Sequence, residues 1–273
     1  MLKKLLCLAL TVCLLCVCAL PACAASYTDL IGDILDDMSE NNDRCSGAPQ
    51  QAANGAYRLT EMLAVTALSH DTFGVYDELI WGVLDDMNEN NDRCSGAPQQ
   101  TANGLYRTAE MLAILAYELD TAGTYESIID DILDDMSEND DRCSGAAQQA
   151  VNGLYRSVEL LAVIAYTLDD TGAYDSLIDS VLDDLSENND RCSGAPQQSA
   201  NGAYRTVEML AIIAYELDDA GAYSSLIGDI LDDMSENNDR CSGAPQQLAN
   251  GLYRAVEMAA VVGYASQGGG LSL

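Results

Sequence analysis

Apolar residues recur at helical spacing along almost the whole chain. Tyr76, Leu79, Ile80, Val83, Leu84 and Met87 fall at i, i+3, i+4, i+7, i+8 and i+11, while Asp77, Glu78, Asp85 and Asp86 take the other face. That is the pattern of an amphipathic surface helix, and it predicts one that stops in the polar run from Asn88 to Ser95. A second helix is predicted from about Gln99 to Leu119, with Pro98 tolerated in its first turn because the missing N–H had no partner there anyway. Its later turns, Met111 to Tyr117, are apolar nearly all round, as a helix covered on several sides should be. Asp120-Thr121-Ala122-Gly123 then supplies the stop.

This two-helix pattern is written five times. Tyr27, Tyr76, Tyr125, Tyr174 and Tyr223 are each 49 residues apart. The units run 27–75, 76–124, 125–173, 174–222 and 223–271. A fixed period of this length signals stacked supersecondary units, because one hairpin cannot cover both faces of its inner helix. The expected fold is therefore all-α: an α-solenoid of five helical hairpins forming a single domain over residues 25–273, flat or weakly curved rather than closed into a ring. One local conflict stands in this reading. Asn103-Gly104 is a turn signal inside the second helix, where Gly costs about 1 kcal/mol against Ala. Either the helix begins there, or Gly is kept because something packs closely on it.

Ahead of the repeats lies a different kind of sequence. Lys3-Lys4, the apolar stretch Leu5 to Leu20 and the small residues Ala22 and Ala24 follow the three-part plan of a secretory signal peptide over residues 1–24, which resembles bacterial leaders. Export to the cell surface or medium is expected. Leu20-Pro21-Ala22-Cys23 offers a lesser alternative, a lipoprotein anchored through Cys23. The stretch is shorter than the roughly 20 residues a membrane span needs, so no span is expected.

Composition narrows the chemistry. The chain has 44 Asp plus Glu, 12 Lys plus Arg and a single His, for a formal charge of −32. Past the leader there is no Lys, and ten Arg face all 44 acids, a formal −34. Nucleic acid is excluded as a partner, since phosphate contacts need clustered cations. One His and five near-identical units also argue against a single asymmetric catalytic centre, so the chain is not expected to be an enzyme.

Within the unit, some positions drift and others do not. Gly32, Trp81, Asp130, Asp179 and Gly228 share one place, whereas Asp43-Arg44-Cys45-Ser46-Gly47 and a polar stripe are identical in every copy. The stripe comprises Gln51, Asn54, Arg58 and Glu61, then Gln100, Asn103, Arg107 and Glu110, Gln149, Asn152, Arg156 and Glu159, Gln198, Asn201, Arg205 and Glu208, and Gln247, Asn250, Arg254 and Glu257. Steps of 3, 4 and 3 put each set on one helix face. Two readings are open. Stacked copies would align the amides into a ladder able to hold an extended peptide, polysaccharide or basic protein, an arrangement that resembles the asparagine ladder of armadillo proteins. Alternatively, each Arg pairs with a neighbouring acid and the amides serve buried backbone groups.

Two further features carry candidate chemistry. Asp37, Glu40 and Asp43 crowd the end of the first helix, where the macrodipole disfavours anions. Arg44 or a bound Ca²⁺ would neutralise them, although the EF-hand spacing is absent. No other cofactor is expected. Cys45, Cys94, Cys143, Cys192 and Cys241 give one thiol per copy, an odd number suited to cross-linking or modification between chains, or to burial in a turn.

Overall fold

The computed structural model describes residues 27, 30–38 and 47–266, apart from 72, 94–95, 143–144, 170, 192–193, 219–220 and 241–242. All the described regular structure is helical. Each unit supplies an outer helix and an inner one: α1 (30–38) and α2 (Ala48–His70), α3 (Asp77–Arg93) and α4 (Ala97–Leu119), α5 (Glu126–Arg142) and α6 (Ala146–Leu168), α7 (Asp175–Arg191) and α8 (Ala195–Leu217), α9 (Ser224–Arg240) and α10 (Ala244–Ser266). Residues 1–24, the expected signal peptide, lie outside the described residues. Among them, no helix is long and apolar enough to cross a membrane.

Both helices of the unit form for the reasons their sequence offers. Outer helices end inside the expected polar run, at Arg93 in the second copy, three residues before the next Gly. Inner helices run 23 residues straight through Asn-Gly. A Cβ placed on Gly104 would lie 2.8 Å from Ala56 Cβ and 3.2 Å from the Ala56 carbonyl carbon. Gly is therefore kept for close approach of two backbones, the second of the two possibilities at Asn103-Gly104. In the turn that follows, Gly123 takes φ 66°, a left-handed conformation that side chains disfavour. Asp120 then receives the N–H groups of Thr124 and Tyr125 at 2.9 and 2.6 Å, which fixes the entry to the next outer helix.

The expected open array is overturned. Inner helices pack in the order α2, α4, α6, α8, α10, and α10 packs back on α2. The closing seam repeats the internal ones: a Cβ placed on Gly55 would lie 2.9 Å from Leu252 Cβ, as one on Gly202 would lie 2.9 Å from Leu154 Cβ and one on Gly251 2.8 Å from Ala203 Cβ. Five applications of one interface thus return to the start. Each unit is a wedge, narrow where Gly and Ala let inner helices approach and wide where an outer helix is inserted. Among α3, α5, α7 and α9, no outer helix packs on another; each packs on its own inner helix and on the inner helix before it.

The core is the inner ring. Leu63, Leu112, Leu161 and Leu210 are buried, as are Met62, Met111, Leu160, Met209 and Met258. At the α2 and α4 seam Thr60 Oγ1 donates to Gly104 O at 3.1 Å, so the polar atom buried there is satisfied. All five inner helices run parallel. Their first turns meet around an apolar depression of about 140 Å³ lined by Pro49, Pro98, Ala147, Pro196 and Pro245, with Leu248 and its counterparts below.

Candidate binding grooves

Because the outer helices stand apart, the outward face of each inner helix is left as the floor of a groove. The groove over α10, between α9 and α1, has a volume of about 260 Å³. Leu226, Asp229, Ile230 and Asp233 form one wall, Leu35 the other, and Arg254, Glu257, Val261 and Tyr264 the floor. Asp233, Arg254, Glu257 and an aliphatic residue at the place of Leu226 recur at 49-residue intervals in every unit, whereas Asp229 is matched by an acid only at Asp33 and Asp131.

Half of the predicted polar stripe lies on this floor. Arg58 reaches Glu61 at 2.6 Å and Asp37 of its own outer helix at 3.6 Å. The other four copies repeat this at 2.5–2.6 Å to Glu110, Glu159, Glu208 and Glu257 and 3.2–3.6 Å to Asp86, Asp135, Asp184 and Asp233. Each Arg side chain is only 19–22% exposed, while its Asp partner stays largely in solvent. Two carboxylates thus share one guanidinium. Burial raises the carboxyls of Glu61, Glu110, Glu159, Glu208 and Glu257 above the usual range, more than the adjacent Arg lowers them.

The amide half of the stripe sits between the layers. Asn54, Asn103 and Asn152 donate to the carbonyls of Met38, Met87 and Met136 at 3.5, 3.4 and 3.2 Å, which ties each inner helix to its outer partner. Asn152 also donates to Tyr106 of the preceding unit at 2.9 Å. The amide nitrogens of Asn201 and Asn250 are buried with no hydrogen-bond partner among the described residues. Gln51, Gln100, Gln149, Gln198 and Gln247 are half-buried one turn earlier, and Gln247 accepts from Gln197 of the neighbouring unit at 3.4 Å.

Of the proposed cation ligands, Asp37 is engaged with Arg58, and Glu40 and Asp43 lie outside the described residues. Cys45, Cys94, Cys143, Cys192 and Cys241 also lie outside them. Among the described residues, no group of three or more acids, His or Cys is placed to hold a metal ion.

One component of the grooves is not apparent from helical periodicity. Leu30, Leu79, Ile128, Leu177 and Leu226 belong to the apolar stripe of the outer helix, yet all are exposed. They form the rim of each groove. A second component is the Tyr column of the inner helix: Tyr117 and Tyr166 donate across the groove end to Asp130 and Asp179 of the next outer helix. The recurrence of an apolar residue in the first column and of Tyr in four copies of the second was the available signal.

No protein-family model, curated protein or solved structure matches the chain.

Proposed function

We propose that this protein is an exported, non-enzymatic helical scaffold that binds cationic, amphipathic polypeptide segments in the grooves of its outer surface. The observation that supports this reading is the groove over α10, whose Arg with its Glu and Asp partners and whose exposed Leu or Ile rim residue recur in all five units. A helical segment laid in such a groove would bury its apolar face on the rim residue and on Val65, Ile114 or their counterparts. Its Lys or Arg would meet Asp33, Asp37 and the equivalent acids. Helix-in-groove recognition works through this division between anchors and rim. Exposed aliphatic side chains favour a polypeptide over a polysaccharide among the partner classes open to an extracellular acidic protein, and the absence of Lys past residue 4 leaves the surface strongly negative.

A helical peptide of Leu and Lys, about four turns long, tests the reading by calorimetry. Binding should weaken steeply between low and physiological salt. Replacing Ile128 and Leu177 by Ser should reduce the number of occupied sites or their affinity by several-fold. Absence of binding at low salt would overturn the reading.

A further inference from the structure

The five units are close copies, and one corner of the ring departs from the rest. His70, Phe73 and Trp81 are the chain's single His, single Phe and single Trp, and they fall within 12 residues, at the end of α2 and the start of α3. Where Phe73 stands the later units have Ala122, Thr171 and Ala220; where Val75 stands they have Thr124, Ala173 and Ala222. Trp81 replaces Gly32, Asp130, Asp179 and Gly228.

Apart from the half-buried His70, these residues are not buried by the fold. Phe73 is 92% exposed, Val75 70%, Leu79 59% and Trp81 55%. The turn that carries them is held firmly, with Val75 N–H and Tyr76 N–H donating to the two Asp71 carboxylate oxygens at 2.8 and 2.5 Å. The display of Phe73 and Val75 to water has no explanation in the stability of the ring.

The corner also changes the groove beside it. At the α4 and α6 seams, a Tyr on the inner helix donates to an Asp on the next outer helix, Tyr117 to Asp130 and Tyr166 to Asp179. The same two places are taken by Leu68 and Trp81 over α2. Over α2 both places are apolar, whereas over α8 and α10 the Tyr is kept and the Asp is replaced by Gly228 or Gly32, so the end of the α2 groove is the most apolar of the five. Its flanks remain acidic, with Asp77, Glu78 and Asp85 exposed on α3.

We infer that the groove over α2 is the preferred site of the five, and that Phe73, Val75 and Trp81 anchor the apolar end of one cationic amphipathic helix per ring. This rests on the groove reading above and sharpens it, from five equal sites to one strong site and four weak ones. Aromatic anchors in a water-excluding setting dominate most interfaces. The acidic flank selects a basic partner. It also opposes a second copy of this chain, at formal −32, and an anionic lipid surface.

Trp81, as the single Trp, reports on this site directly. With the Leu/Lys peptide as probe, Trp81 emission should shift to the blue and saturate at one equivalent, while calorimetry continues to record weaker binding beyond it. A Phe73→Ser, Val75→Thr pair, made at exposed positions, should weaken the first equivalent about tenfold or more and leave the later ones and the melting temperature unchanged. Trp81→Gly, which installs the residue of units one and five, should abolish the strong phase in calorimetry. Five equal sites with no emission change would overturn the inference while sparing the groove reading. No binding of any kind would remove both. A blue shift produced by protein concentration alone, or by zwitterionic vesicles without peptide, would also overturn it.

Discussion

The inner and outer rings of this molecule solve the same problem, a helix end and an apolar face, in opposite ways. Inner helices are packed on their neighbours through Gly and Ala, start at a Gly with no capping side chain, and carry no acid in the first turn. Outer helices α3, α5 and α7 carry Asp or Glu in the first turn, and the turns leading into α3, α5, α7 and α9 are fixed by Asp71, Asp120, Asp169 and Asp218. The inner ring supplies stability through close packing. The outer ring leaves gaps that the fold does not need filled, and side chains there are available for recognition.

The contrast is broken most directly at the inner seam. Gly104→Val should cost about 3–5 kcal/mol, because the new Cβ would meet Ala56 backbone at 3.2 Å and the branched methyls have nowhere to go. Better helix propensity returns no more than about 1 kcal/mol. Urea unfolding should show a lower midpoint, and a near-wild-type midpoint would mean that the inner helices are not held at this distance.

A smaller effect arises at the C-terminal ends of α4 and α8. Both carboxylate oxygens of Glu118 and of Glu216 are buried with no hydrogen-bond partner among the described residues. Burial pushes each carboxyl up to about 8, with Asp71 and Asp77 adding to the effect at Glu118 and Asp169 at Glu216. In the unfolded chain these groups ionise near 4.5. Between that value and 8 the unfolded state releases protons that the ring retains, so stability is full at low pH and falls as pH rises through this window. The loss is on the order of 1–2 kcal/mol per group once solvent screening around these half-buried side chains is allowed for. Replacing both by Thr, the residue at position 167 of the third unit, should flatten the dependence of melting temperature on pH between 4.5 and 8. An unchanged slope would place these carboxylates in contact with water.

How far the sequence anticipates this arrangement depends on the range of the interaction involved. Helix limits, the five units and the Gly123 turn follow from periods and capping residues, which act within a few positions. Closure does not follow. It depends on the rotation between successive units, which accumulates from the Gly104 to Ala56 approach and the insertion of α3, and no local pattern encodes that angle. The stripe was legible as a face, since Arg107 and Glu110 are one turn apart. What it faces was not, because Asn103 meets Met87 O across a hairpin while Arg107 is left on a groove floor. Leu79 and Leu177 read as buried from periodicity alone. They are exposed because no second outer helix arrives to cover them.

The smallest effect is expected at that rim, and it is the one that separates recognition from folding. Leu177 is 52% exposed, whereas Leu161 on the neighbouring inner helix is 1% exposed. Leu177→Ser removes little buried area and should change stability by no more than about 0.5 kcal/mol. Leu161→Ala, made alongside it, should cost about 2–5 kcal/mol through lost transfer energy and the cavity left in the inner ring. If rim residues were kept for the fold, the two costs would converge. If they are kept for a partner, Leu177→Ser leaves the melting temperature in place and lowers peptide affinity, while Leu161→Ala lowers the melting temperature and, at temperatures where the ring is intact, binds as before.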